Sequence, residues 1–277
     1  MIKKGKKISL LLAAMIISAS TAGCSKINEA EVKLGFKNTD FEYIKNNKAD
    51  KVVIANTRDV GYKFTVTDKS TIMDLYDILS SAKKAEQKSQ LDPDYTLEIY
   101  EGKTINKFNY VVGVDKKNYG NLYDNQKTYI VSSRLDNDII KHLWDIRIPN
   151  DFKTTYYGTI IQFMKQHKSE LTKNGGSIGV NIFDDTDVVK YMLSMEIEEF
   201  KSDISKTISS AQLVNKNKDN FDVLITMGTQ GYKTNIYKSI IDVTYKKDNS
   251  EKKYYVVNKY QNGSWDVKIT DSMPDGF

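Results

Sequence analysis

Four stretches carry residues whose types and spacing could do chemistry. "GGSIG", Gly175 to Gly179, has the spelling of G-x-S-x-G, where a strand, a sharp turn and a helix expose a serine nucleophile. The predicted order here is reversed, with a helix before and a strand or loop after. His142 and His167 are the only histidines and both precede Ser177, so a serine, acid, histidine order fails too. A glycine C-cap and turn accounts for the stretch. "GTQGYKT", Gly228 to Thr234, lacks the spacing of a phosphate loop and joins two strands, so it reads as a hairpin turn. "DDTD", Asp184 to Asp187, gathers three carboxylates, but the sixth and twelfth places of a calcium loop hold Val189 and Met195. Negative charge at the N-terminus of a following helix explains it without a metal. Two isolated histidines with no cysteine beside them make no ordinary zinc site. No catalytic residue, cofactor or metal site is assigned.

The fourth stretch surrounds Cys24, the only cysteine in 277 residues. Lys3, Lys4, Lys6 and Lys7 form a basic head, Ile8 to Ile17 an apolar run broken only by Ser9, and small residues follow. That is the layout of a secretory signal. The run is about half the ~20 residues a membrane-crossing helix needs. Its ending, Thr21-Ala22-Gly23-Cys24, resembles the lipobox of bacterial lipoproteins, with threonine where leucine is usual. The resemblance implies cleavage between Gly23 and Cys24 and attachment of diacylglycerol to the Cys24 thiol. The mature chain would then be held at the outer face of a cell membrane. Two acyl chains suffice for stable anchoring, each buried methylene contributing ~0.8 kcal/mol.

The net charge of +5 belongs to this segment: without residues 1–23, 37 basic residues face 36 acidic ones. No nucleic-acid partner is implied, since that needs a clustered basic face. An acylated Cys24 leaves no thiol for a disulfide, so core packing alone must hold the body, and about 250 mature residues are ample for one large or two ordinary domains. Arg58, Arg134 and Arg147 are the only arginines among 41 basic residues. That lysine bias, with many asparagines, suggests an AT-rich bacterial genome, Gram-positive by expectation.

The elements predict an α+β chain of two modules, each an antiparallel sheet with helices on one face. After the signal (1–23) comes a polar tether (24–50). The first module, 51–148, opens with strands "KVVIAN" and "YKFTV". Asp68 then caps a helix in which Ile72, Leu75, Leu79 and Ala82 keep helical spacing. Strands "DYTLEIYEG", "KFNYVVGV" and "KTYIVSS" follow, then a helix "LDNDIIKHLWDI". This order resembles the domain of YhfM-type lipoproteins of Gram-positive bacteria. Pro149 marks a linker, 149–155. The second module, 156–277, opens with a helix "YYGTIIQFMKQHKSEL" and a second helical region, "DTDVVKYMLSMEIEEFKSDI", with Val189, Leu193, Ile197, Phe200 and Ile204 at steps of three and four. Five strand candidates with period two complete it, from "ISSAQLVNK" to "SWDVKIT". Helices first, then a meander ending on Gly263-Ser264-Trp265, is similar to NTF2-like (cystatin-like) domains.

NTF2-like folds often hold a cavity between helix and sheet. By that resemblance Tyr156, Tyr157, Phe163, Tyr237 and Trp265 either line a cavity or build the core. The expected function is therefore a membrane-anchored lipoprotein that binds a protein partner or small ligand. Two alternatives compete with it. One is an envelope enzyme with an acidic or tyrosine site, Asp242 or Asp266 converging on His167. The other is a structural subunit of an envelope assembly for secretion, conjugation or sporulation.

Overall fold

A computed structural model describes residues 37–114, 117–143, 150–214 and 217–277. The signal and the lipid-attachment residues Gly23 and Cys24 lie outside the described residues. The chain builds two sheets over two separate apolar cores.

The first sheet orders its strands β2-β1-β4-β5-β6-β7-β3. They are β1 (Lys51–Asn56), β2 (Lys63–Val66), β3 (Lys83–Lys84), β4 (Tyr95–Glu101), β5 (Thr104–Tyr110), β6 (Leu122–Tyr123) and β7 (Thr128–Ile130). Every strand pair in it is antiparallel. Alternation drives it: Val52 and Ile54 lie opposite Ile99 and Leu97, and Leu97 in turn lies opposite Phe108, all on the buried side. Helix α1 (Lys69–Ser80) begins where expected, with the Asp68 carboxylate accepting from Thr71 N at 2.9 Å. A π-helical turn, Leu135–Ile140, runs into the short helix α2 (Lys141–Leu143) and adds Leu135, Ile139 and Ile140 to the core.

The expected tether, 24–50, is shorter among the described residues. Phe41 and Ile44 are fully buried in the first core, and Glu42–Asn47 form a 3-10 turn. Asn38 latches the chain to the end of α1, its amide donating to Leu79 O and Ala82 O and its backbone N–H to Ser80 O. The body thus begins by residue 38.

In the second module a π-helical turn, Lys153–Gly158, leads into α3 (Thr159–Gln166) and α4 (Lys168–Leu171), so helix starts inside the expected linker. The sheet runs β13-β12-β11-β10-β8-β9. Its strands are β8 (Ile178–Asn181), β9 (Ala211–Leu213), β10 (Val223–Lys233), β11 (Ile236–Tyr245), β12 (Ser250–Gln261) and β13 (Ser264–Thr270). The four long strands pair antiparallel, as expected. The inner edge departs from expectation, because β8 is parallel to both β10 and β9. The reason is topological: helix α5 (Ser194–Thr207) crosses over between β8 and β9, and such a crossover returns the chain in the same direction.

Two local expectations are corrected. The helical region 185–204 splits into a 3-10 turn, Val189–Tyr191, and α5, with Met192 and Leu193 extended between them. "GTQGYKT" is not the turn but the bulged end of β10, its register shifting between Thr229 and Gly231. Gly179 of "GGSIG" lies in β8 because nothing larger fits: a Cβ there would stand 2.6 Å from Val214 and 2.7 Å from the Phe221 ring.

Candidate functional site

The two modules meet on a buried charge. Asp94, the residue before β4, has a side chain only 1 % exposed, and Arg58, in the loop between β1 and β2, reaches it at 2.8 Å. Asn56 sets that loop by accepting the N–H groups of Arg58 and Asp59, both at 2.9 Å. Thr57 N–H bonds Asp94 O at 3.0 Å. The carboxylate also accepts Val112 N–H at 2.8 Å within its own module and Ser194 N–H at 2.8 Å across the interface.

Ser194 is the first residue of α5, so a carboxylate from the first module supplies the N-terminal partner that this helix lacks locally. Its hydroxyl donates to Asp92 O at 2.7 Å and accepts from Arg58. Burial pushes the Asp94 carboxyl up; Arg58 and the N–H groups of Val112 and Ser194 oppose it. Around this point Asn56 donates to Lys190 O at 3.0 Å, and Leu193 packs on the first core. Gly113, at φ +90°, comes so close to Met195 that a Cβ would stand 2.9 Å from its sulfur.

Beside the joint lies an open cleft of about 430 Å³. Leu91 and Pro93 from the first module and Phe183, Ile197 and Leu213 from the second give it apolar lining; Arg58 and Ser194 of the joint line it too, with Thr57, Gln90, Asp92, Glu198 and Lys201 adding polar and charged groups. Apolar lining with a few convergent polar groups suits binding.

The residues singled out by sequence fall elsewhere. Tyr156, Tyr157, Phe163 and Tyr237 are buried in the second core, where they fill the space between helices and sheet. Trp265 is half-buried at the core's margin, its indole N–H donating to Asn150 O at 2.8 Å. Ser177 bonds the Asp222 carboxylate at 2.9 Å through its hydroxyl, with no histidine in the pair. "DDTD" does not cap a helix. Asp184 pairs with Lys218 and Asn181, while Asp185 is buried and accepts from Thr229 N–H, Thr229 Oγ1 and Tyr156 OH. Among the described residues no group of three or more possible metal ligands occurs.

His167 does not meet Asp242 or Asp266. Asp242 is half-exposed and pairs with Lys253 at 3.6 Å, and Asp266 is exposed. The acid at His167 is Glu170, one helical turn on, at 3.4 Å. Glu170 also accepts from Tyr245, Tyr254 and Lys252, and His167 stacks on Phe163 at 4.6 Å and meets Tyr254 at a tilt at 4.5 Å. His142 is exposed on α2.

Two predictions follow from these charges. Asp94→Ala strands Arg58 and uncaps α5, and we expect a loss of about 3–5 kcal/mol in urea unfolding; a loss below ~1 kcal/mol would mean that the pair is solvated. For Glu170, burial opposes ionisation, but the bonds from Lys252, Tyr245 and His167 outweigh it and bring the carboxyl from 4.5 to about 2. A lowered pKa stabilises the fold above the unfolded value and the gain is lost as pH falls toward 2. Discounted for partial exposure, it amounts to about 1–2 kcal/mol. Glu170→Gln should flatten stability between those pH values, and a slope unchanged by it would refute the assignment.

No curated protein and no solved structure matches the chain. Residues 45–149, less than half of the chain and coinciding with the first module, match the family model described as YhfM protein.

Proposed function

We propose that this chain is a lipid-anchored extracytoplasmic binding protein that presents the cleft between its modules to a ligand or protein partner. The observation that carries the reading is the cleft itself: apolar lining from both modules, held open beside the buried joint of Asp94, Arg58 and Ser194. Anchoring rests on the segment ending at Cys24. The likeness of the second module to NTF2-like domains rests on its opening helices and its long closing meander ending at Gly263-Ser264-Trp265. That module's helix-to-sheet space, however, is occupied by Tyr156, Phe163 and Tyr237, so the recognition surface is assigned to the cleft.

Metabolic labelling with a clickable palmitate, combined with fractionation, tests the anchor. Label in wild type that disappears in Cys24→Ala, with release of the body into the medium, is expected; unlabelled wild-type protein in the medium would overturn it. On the same membranes, a photo-crosslinking side chain in place of Gln90 should give a discrete adduct. None there would remove the cleft as the recognition surface.

A further inference from the structure

Helix α5 has a second face. Ile197, Glu198 and Lys201 turn toward the cleft, whereas Glu196, Phe200 and Asp203 line a separate cavity of about 200 Å³. Its other wall is the π-helical turn, with Lys153, Thr154, Tyr157 and Gly158, and Ile161 of α3. Such turns are rare and frequent at functional sites. This one is held from behind, where Asn258 donates to Thr155 O at 3.2 Å and to Thr159 Oγ1 at 2.7 Å. The Tyr157 and Phe200 rings pack together at 4.8 Å and give the cavity an aromatic side.

Two polar groups bordering the cavity lack a complement. Tyr157 is 4 % exposed and its hydroxyl has no hydrogen-bond partner, a costly state for a buried donor. The charge acting on it most strongly is Glu196, ahead of Arg58 and Asp94. Glu196 itself is pushed up to about 7 by burial; Lys153 opposes this, and Glu199, Asp94 and Asp151 reinforce it. The single lysine, Lys153, is taken by Glu199. Asp203 on the same wall pairs with Lys206 at 3.4 Å, so Glu196 is the carboxylate there without a lysine of its own. The cavity therefore lacks a cation, and its aromatic side would accept an apolar body or a cation over the ring face.

We propose that this cavity is a binding site for a small amine with an apolar body, its ammonium group at Glu196 and its hydrocarbon against Tyr157 and Phe200. The amine N–H donates to the Glu196 carboxylate, and the hydrocarbon packs on the Tyr157 and Phe200 rings that line the cavity. Below pH 7 the Glu196 carboxyl carries a proton that must leave to solvent before the ammonium can pair with it. Affinity therefore rises with pH to about 7 and levels off above.

Titration calorimetry of the full chain bearing Cys24→Ser, with 2-phenylethylamine as probe, tests this. Saturable binding with a Kd of about 1 mM or tighter is expected, as suits so small a ligand. It should be about tenfold weaker at pH 6 than at pH 8, with proton release measured in buffers of different ionisation enthalpy. The neutral isostere 2-phenylethanol should bind at least tenfold more weakly, by ~1.4 kcal/mol for that factor. Glu196→Gln should abolish both the pH dependence and the preference for the amine. Tyr157→Phe should leave both binding and the circular dichroism melt unchanged, because its hydroxyl is closed off from the cavity and bonds nothing in the empty protein, whereas a loss of binding on that change would contradict the placement of the amine at Glu196. No saturation, equal binding of the alcohol, or a flat pH profile in the wild type would each overturn the site, and none of these needs a variant to fold.

Discussion

A carboxylate taken out of water must find positive charge and donors where it is buried, and Asp94 finds them in three parts of the chain. Arg58 comes from the loop between β1 and β2, Val112 from the chain after β5, and Ser194 from the start of α5. None of these can move far without leaving a buried charge unpaired. The joint therefore fixes where the second module sits on the first, and with it the width of the cleft. It also explains why α5 starts at Ser194 rather than continuing the 3-10 turn Val189–Tyr191: the helix begins where the first module offers its N-terminus an anion.

Helix α5 is consequently the element through which the molecule is organised. Its buried residues Ile197, Phe200 and Ile204 tie it to the second core, and its N-terminus ties it to the first module. Its flanks wall two hollows of different chemistry. The cleft mixes apolar lining with groups of both charges, while the smaller cavity is acidic and aromatic. A ligand in either would press on the helix that the other shares.

Much of this fold was legible from periodicity. Strands β1, β4, β11 and β12 alternate buried and half-exposed or exposed positions, so their side chains announce a half-buried sheet. The Asp68 cap stands in the sequence as it stands in the structure. What stayed hidden was short or depended on distant residues. Strand β8 has four residues, all buried, so no alternation marks it, and its parallel pairing with β9 is decided by the α5 crossover. The role of Asp185 inside the core could not be told from that of Asp184 on the surface beside it. Asp94 and Ser194 lie 100 positions apart, and no local pattern links an aspartate before a strand to a helix start so far away. Of the aromatics expected to line a cavity or build the core, Tyr156, Phe163 and Tyr237 fill the space between helix and sheet, where rings on the two sides interlock, whereas Tyr157 packs on Phe200 of α5 and also borders the smaller cavity.

The central claim is that the Asp94 joint holds the two modules in one arrangement. With Cys24→Ser the chain has no cysteine, so spin labels go only where cysteines are introduced, at Lys107 on β5 and Lys259 on β12, both exposed. Pulsed electron–electron resonance should then give a single narrow distance distribution that broadens on Asp94→Ala. A broad or two-peaked distribution in the otherwise unaltered protein would contradict the account.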